Sequence, residues 1–353
     1  MTPFGRITEL VLFAVLPAVV FGVFLVGDAS QAPLAVDFDA QYWPMGARVL
    51  DGLSPYRQTD VLFPYGAVAG LLFAAFALLP HGVADAVFLG LCVGAVPLTL
   101  YVSGVRDWRV YGIVFLWTPV IAGWTSANVS LLLGLGIAFL WRYRDRPFVA
   151  GLIVALLVSI KLFVWPLALW LLATRRYLAF GYTVLCGVAL NLVAWAVVGF
   201  DQLGPYRTMT DRVTNRMEPL SDSILAIARD HGASRPAAYA VTLTLAAAAA
   251  GACFVRARRG DHASALLLSI TMSFLATPVI WEHYYVLIIV PLAILRPRLS
   301  LVWAVPLLML PVAVVASQVD ELVLGEVAVI ATVIAVALIQ AARDSRVGQP
   351  RST

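Results

Sequence analysis

The sequence predicts an all-α, polytopic helical membrane protein. Hydrophobic residues make up 61% of the 353-residue chain and charged residues 12%, and the mean hydropathy is +0.90. A soluble domain carries about twice that charged fraction. Apolar runs also follow one another to the end of the chain, and no soluble domain, internal repeat or low-complexity tract separates them. Residues 1–346 read as one multi-pass membrane domain and 347–353 as a short cytoplasmic tail.

The runs fall near 8–26, 62–79, 83–103, 110–122, 128–141, 147–160 and 162–174. They continue at 178–199, 236–255, 262–278, 284–295, 299–317 and 324–342. The first follows Arg6 and resembles the core of a signal peptide. Its ~20 apolar residues and the many later spans favour a retained membrane helix. Several other runs hold 12 to 15 residues, short of the ~20 that a straight crossing needs. Short runs broken by glycine or proline point to half-crossing helices beside a cavity. The pairs 110–122/128–141 and 147–160/162–174 are the clearest cases.

Lys161 is the only lysine, so 23 of the 24 basic residues are arginines. Arg142/Arg144/Arg146, Arg175/Arg176, Arg256/Arg258/Arg259, Arg296/Arg298 and Arg343/Arg346 lie between runs and read as cytoplasmic by the positive-inside rule. This explains the net charge of +4 without nucleic acid. With Arg6 also inside, both termini are cytoplasmic and the number of crossings is even. One pair, 110–141, then counts as a single crossing or one run is re-entrant, giving about twelve transmembrane helices. Two long loops become extracytoplasmic, 27–61 and 200–235. Shorter outer turns fall at GWTSANVS (123–130), around Lys161, at WEHYY (281–285) and at SQVDELVLGE (317–326). Cys92, Cys186 and Cys253 sit inside apolar runs without metal-ligand spacing and read as small buried hydrophobes.

The first loop carries AVDFDAQYWPMGARVLDGLSPY, with Asp37, Asp39 and Asp51 in 22 residues. Tyr42, Trp43 and Tyr56 are amphipathic rings suited to the headgroup layer. Pro44 can open a short helix that closes at Gly52, so 44–51 is expected as a surface helix. If the segment before it is extended, Asp37 and Asp39 face opposite ways. By composition alone these carboxylates read as helix caps or solvated charges of an outer loop.

Glu282 and His283, in WEHYY, follow Thr277-Pro278, which would break a membrane helix; ionisable groups at such a break are functional candidates. A histidine there binds phosphate or donates a proton, or else sits satisfied in an aromatic belt. Lys161 is flanked by apolar residues on both sides and must snorkel, pair or face a polar cavity. In the second loop, 223–229 is expected to be helical with Ser221 or Asp222 as cap, and Arg207, Arg212 and Arg216 to share one helical face. The triplet NVS at 128–130 fits a glycosylation site but opens a membrane run and reads as chance. The chain has no P-loop, GxGxxG, HExxH or CxxC motif, which argues against an ATP-driven pump or a membrane zinc protease.

VDFDAQYWPMGARVLDGLSPY resembles the first-loop signature of the bacterial polyprenol-phosphate-mannose-dependent α-(1→2) mannosyltransferases, glycosyltransferase family 87 of the GT-C superfamily. Asp37-Phe38, Tyr42, Gly52 and Pro55-Tyr56 match that signature in order. RPFVAGLIVALLVSIKLFVWPLALWLLATRR is similar to the family's Ala-Gly…Lys…Pro…Arg-Arg segment, and LATPVIWEHYY to its Pro…Trp-x-His-Tyr turn. The family's Phe-x-Tyr-Pro-Pro stretch reads LFPYGAVAG here, with Phe63 and Tyr65 but no proline pair. The resemblance implies a GT-C-like fold and a transferase that uses a polyprenyl-phosphate-linked sugar at the extracytoplasmic face of the cell membrane. The acceptor would be an envelope glycolipid or glycan, and the enzyme would require no cofactor or metal. It gives Asp37 the role of general base, with Asp39 second. Lys161, His283 and Arg57 are then candidates to steady the departing lipid phosphate, and Tyr42, Tyr56 and Glu282 complete the expected substrate-binding set. The competing readings are a transporter or lipid flippase, which would place ionisable residues deep in repeat-related spans, and a noncatalytic membrane subunit.

Overall fold

The apolar runs fold as helices, some bounded by side-chain caps at Asp107, Ser234 and Asp261 and others by Pro80, Gly199 or Lys161. The computed structural model describes residues 3–31, 34–58, 61–310 and 319–347, with no strand among the described residues. The expected tail at 347–353 lies outside them except for Val347. So do residues 311–318, where the last two expected segments and their turn meet.

Among the described residues five helices are long and apolar enough to cross a membrane: Gly5–Val23, His81–Val102, Tyr177–Val198, Arg235–Arg258 and Val323–Ala342. Thr118–Thr125 and Ser130–Arg142 qualify together but meet at 116°, giving six if the bent pair is one span. Among the described residues this count of five or six does not support the twelve crossings predicted from the sequence. Ala67–Ala77, Pro147–Ile160, Leu162–Ala173, His262–Leu275 and Glu282–Leu295 are apolar but have only 10–17 residues. At 1.5 Å per residue, fourteen residues reach about 21 Å of a ~30 Å hydrocarbon core. An apolar run is thus not a crossing here, because many runs pack as pieces against one another. Leu185, Leu192, Val193 and Val197 on Tyr177–Val198 remain exposed, an apolar outer face suited to lipid.

The interior is aromatic and interlocked. The Trp117 indole donates to the Trp303 carbonyl at 3.0 Å, and the Trp303 indole donates to the carbonyl of Arg296 at 2.9 Å. In the first loop, residues 38–42 form a wide helical turn leading into helix Trp43–Leu50. Phe38 stacks on Phe88 at 4.8 Å, and Tyr42 lies flat on Phe73 at 4.2 Å. The expected short helix is therefore present. Its Met45 and Gly46 are buried against helix Ala67–Ala77, while Leu50 points outward.

Gly46 allows that contact, since a Cβ there would overlap the backbone of Phe73 and Ala74. Small residues bring membrane helices together in this way. Gly46→Ala is expected to lower unfolding stability in detergent by about 1–3 kcal/mol. Gly90→Ala, with open space around its site, should leave stability unchanged or raise it by up to about 1 kcal/mol. Equal behaviour of the two variants would contradict the packing described.

The second loop is helical at Leu203–Met217 and Ile224–Asp230. The cap of the latter is Ser223, whose hydroxyl accepts from the Ala226 N–H at 3.1 Å, rather than Ser221 or Asp222. Ser221 bonds to the Ser223 hydroxyl instead, at 2.9 Å. The three arginines do not share a face. At about 100° per residue Arg207 stands opposite Arg216, and Arg212 donates to the Gln58 carbonyl at 2.8 Å while the other two are exposed.

Candidate functional site

Three chain segments meet around one amide. The segment before the wide turn is tied to the elbow between Thr118–Thr125 and Ser130–Arg142. The Ala35 N–H donates to the Thr125 carbonyl at 2.7 Å, and the Asp37 N–H to the Ser126 carbonyl at 3.0 Å. Ala35 and Ala127 both take positive φ, 65° and 49°, a region that non-glycine residues rarely adopt. These two kinks bring Asp37 and Asn128 face to face.

Asn128 is 2% exposed. Its Nδ2 donates to Asp37 Oδ2 at 2.5 Å and to the Tyr42 hydroxyl at 3.1 Å. Its Oδ1 accepts from the Ser130 N–H at 2.9 Å and from Lys161 Nζ at 3.4 Å. Tyr42 and Tyr65 share a hydrogen bond between hydroxyls at 2.9 Å, and Gln41 donates to Asp37 Oδ1 at 3.2 Å. Burial holds the Asp37 carboxyl above its ordinary value, opposed by hydrogen bonds from Asn128 and Ser126 and by the Lys161 charge.

Lys161 is the residue at which helix Pro147–Ile160 stops. Its backbone is extended, φ −144° and ψ 102°, before the short turn Leu162–Val164. The side chain is 7% exposed. Nζ donates to Ser130 Oγ at 3.0 Å and lies 3.7 Å from the centre of the Tyr284 ring, a cation–π contact. It therefore pairs inside the protein and does not snorkel. Lys161 also lines a cavity of about 720 Å³ together with Tyr65 and Tyr284. Val184, Val188 and Trp195 give that cavity an apolar wall. Asp37 is not part of the lining; the Asn128 side chain stands between it and Lys161.

Of the predicted residues the structure groups Asp37, Tyr42 and Lys161, sets His283 close enough to Lys161 to feel its charge, and places the others elsewhere. Asp39 lies within 3.0 Å of His81 Nε2, with Asp85 one turn further along that helix. The segment is helical, not extended, yet Asp37 and Asp39 still diverge because two helical residues are about 200° apart. Tyr56 is buried against Trp195 and Tyr206, which border the cavity. Arg57 is exposed and pairs with Asp201 at 3.4 Å. His283 packs edge-on to Tyr284, and its Nε2 is buried without a partner among the described residues. Glu282 lies with Asp222 and Glu326 rather than with Asp37. Burial and the nearby Glu326 push the Asp222 carboxyl up to about 8.

Sequence reasoning missed Asn128, Ser130, Tyr65 and Tyr284. Their signal was an asparagine and a serine opening an apolar run at a break, and tyrosines next to residues already singled out. Asn128, which by sequence only begins a chance glycosylation triplet, is buried and fully bonded. Among the described residues, no group of three or more His, Cys, Asp or Glu side chains is arranged to hold a metal ion.

The family whose sequence model matches this chain is glycosyltransferase family 87, over residues 63–278, more than half of its length. The match contains Tyr65, Asn128 and Lys161; Asp37 lies before it and His283 just after. No curated protein and no solved structure matches.

Proposed function

The chain belongs to glycosyltransferase family 87, a family of membrane glycosyltransferases, and from that premise we propose that it moves a sugar, mannose, from a polyprenyl-phosphate donor to an envelope glycolipid or polysaccharide on the extracytoplasmic side, with Asp37 as general base. The supporting observation is the pairing of Asp37 and Lys161 on opposite sides of one amide, with Lys161 lining an apolar cavity. Transfer needs a base for the acceptor hydroxyl proton and a cation for the phosphate that leaves.

Asp37 takes the hydroxyl proton as the acceptor oxygen attacks the anomeric carbon. The bond from that carbon to the phosphate oxygen breaks, and polyprenyl phosphate departs with the electron pair. Lys161 offsets the negative charge that develops on the departing phosphate, and His283, close enough to Lys161 to feel its charge, is a further candidate to bond a phosphate oxygen. The apolar wall of the cavity suits the first isoprene units of the lipid. Tyr42 and Tyr65 hold the base and cation in place through their shared hydrogen bond and Asn128.

The test is release of sugar from a labelled polyprenyl-phosphate donor by the purified protein, with and without glycolipid acceptor. Donor turnover with no dependence on lipid-linked sugar identity would remove mannose from the proposal, and no turnover at all would remove the donor class. A base must be ionised to act, and burial raises the Asp37 carboxyl above its ordinary 3.8. Activity is therefore expected to be full at higher pH and to fall, as pH is lowered, through a midpoint above 3.8. A kcat profile flat down to pH 4, roughly the ordinary carboxylate value, would contradict this.

A further inference from the structure

In the transfer described above Asn128 neither takes a proton nor meets the phosphate, yet all four hydrogen-bonding positions of its amide are in use. The orientation is determined by its neighbours. Exchanging the amide nitrogen and oxygen would set the oxygen against a carboxylate and the nitrogen against Lys161 and the Ser130 N–H. The left-handed Ala127 just before it, at φ 49°, is a backbone conformation that persists only when the surroundings enforce it. The elbow thus spends conformational free energy to aim this amide.

Its two ends meet opposite charges. Among the described residues no ion pair joins Asp37 to Lys161, because the carboxylate bonds to Nδ2 and the ammonium to Oδ1 and Ser130. Were the amide absent, the two charges would face one another in a buried, weakly screened space and attract strongly. A direct pair would make the carboxylate a poorer base and occupy the ammonium needed by a phosphate.

We infer that Asn128 is a positioning residue that acts as a neutral spacer, holding the Asp37 carboxylate and the Lys161 ammonium apart so that each keeps its own partner. This rests on the roles proposed above for Asp37 and Lys161. The groups facing Asp37 are Lys161, Tyr42, Tyr65, Tyr284 and Cys92, with His283 behind Lys161. Among them Lys161 is the cation that Asn128 screens.

The experiment compares kcat against pH for wild type, Asn128→Ala, Asn128→Asp and the Asn128→Ala/Lys161→Gln double variant in lipid nanodiscs, using the labelled donor. Thermal unfolding of each variant reports folding. Both single variants should lose about a hundredfold in kcat. In Asn128→Ala the lost hydrogen bond raises the acid limb, but Lys161 closing into a direct buried ion pair lowers it by more, so the limb should move to lower pH. In Asn128→Asp it should move to higher pH, where a second carboxylate opposes ionisation. In the double variant the downward shift should vanish. A residue that merely fills space would move both limbs alike or neither, and either result overturns the inference. Should the alanine variant fail to fold, Asn128→Ser, smaller but polar, gives the same reading: a limb at lower pH that Lys161→Gln abolishes, where a space-filling role would leave it unmoved. An active Asp37→Asn variant, in contrast, would count against the base assignment and not against the spacer alone.

Discussion

Asp37→Asn should leave a folded protein whose kcat is down by about 10³-fold, the scale of a lost general base. Asparagine has the same shape, and its single oxygen can keep the bond from Asn128, while the bond that Gln41 gives to the other carboxylate oxygen is lost. What disappears is the ability to take a proton. Folding should not suffer, because burial disfavours the ionised carboxylate in the native state. A carboxyl whose folded-state value is raised reduces stability at pH above its unfolded value, and the neutral amide removes that cost. Initial rates with labelled donor, alongside an unfolding curve, separate the two effects. Turnover within tenfold of wild type would take Asp37 out of the mechanism. The parallel substitution Asp39→Asn should cost far less, since that side chain is engaged with His81 on the other face of the turn.

Lys161→Gln is the second large effect, with kcat lowered by about 10²–10³-fold and the donor KM raised. Glutamine can still bond to Ser130 and Asn128 but brings no charge to a departing phosphate. Lys161→Arg should not rescue it. The ammonium is a compact donor seated between Ser130 Oγ and the Tyr284 ring, and a planar guanidinium needs a different and larger seat. The check is a pair of titrations, one varying donor and one varying acceptor. Unchanged donor dependence in the glutamine variant would leave Lys161 a structural residue.

The helical class, the break at Lys161, the elbow within 110–141 and the short helix after Pro44 were all legible in the sequence. The break and the short helix rest on a lysine or proline within an apolar run, and the elbow on the polar residues Thr125, Ser126 and Asn128 between two runs. The crossing number was not legible, because hydropathy marks runs that avoid water and does not say whether a run meets lipid or another helix. His262–Leu275 is one such buried piece, with most of its side chains enclosed by protein. The site was legible only in its charged members. Asp37 and Lys161 stand out as rare ionisable residues in apolar surroundings, whereas Asn128 has partners 91 and 33 residues away that no local spacing reveals. The divergence of Asp37 and Asp39 follows from either geometry, since strand and helix both turn residues i and i+2 to opposite sides.

The meeting of three remote segments at the elbow also bears on how the protein is made. Asp37 leaves the ribosome well before Asn128, and Asn128 well before Lys161. At about 5–20 residues per second, the interval from the first to the last is on the order of 6–25 s. During that time the carboxylate has no amide to bond, and then the amide has no ammonium. Unpaired polar groups in an apolar surrounding are costly, so the early helices gain little by settling tightly before Lys161 arrives. The polar junction would then close as a late, joint step of assembly, and a chain stopped short of residue 161 should expose its first loop to protease even when its leading helix is already in the bilayer.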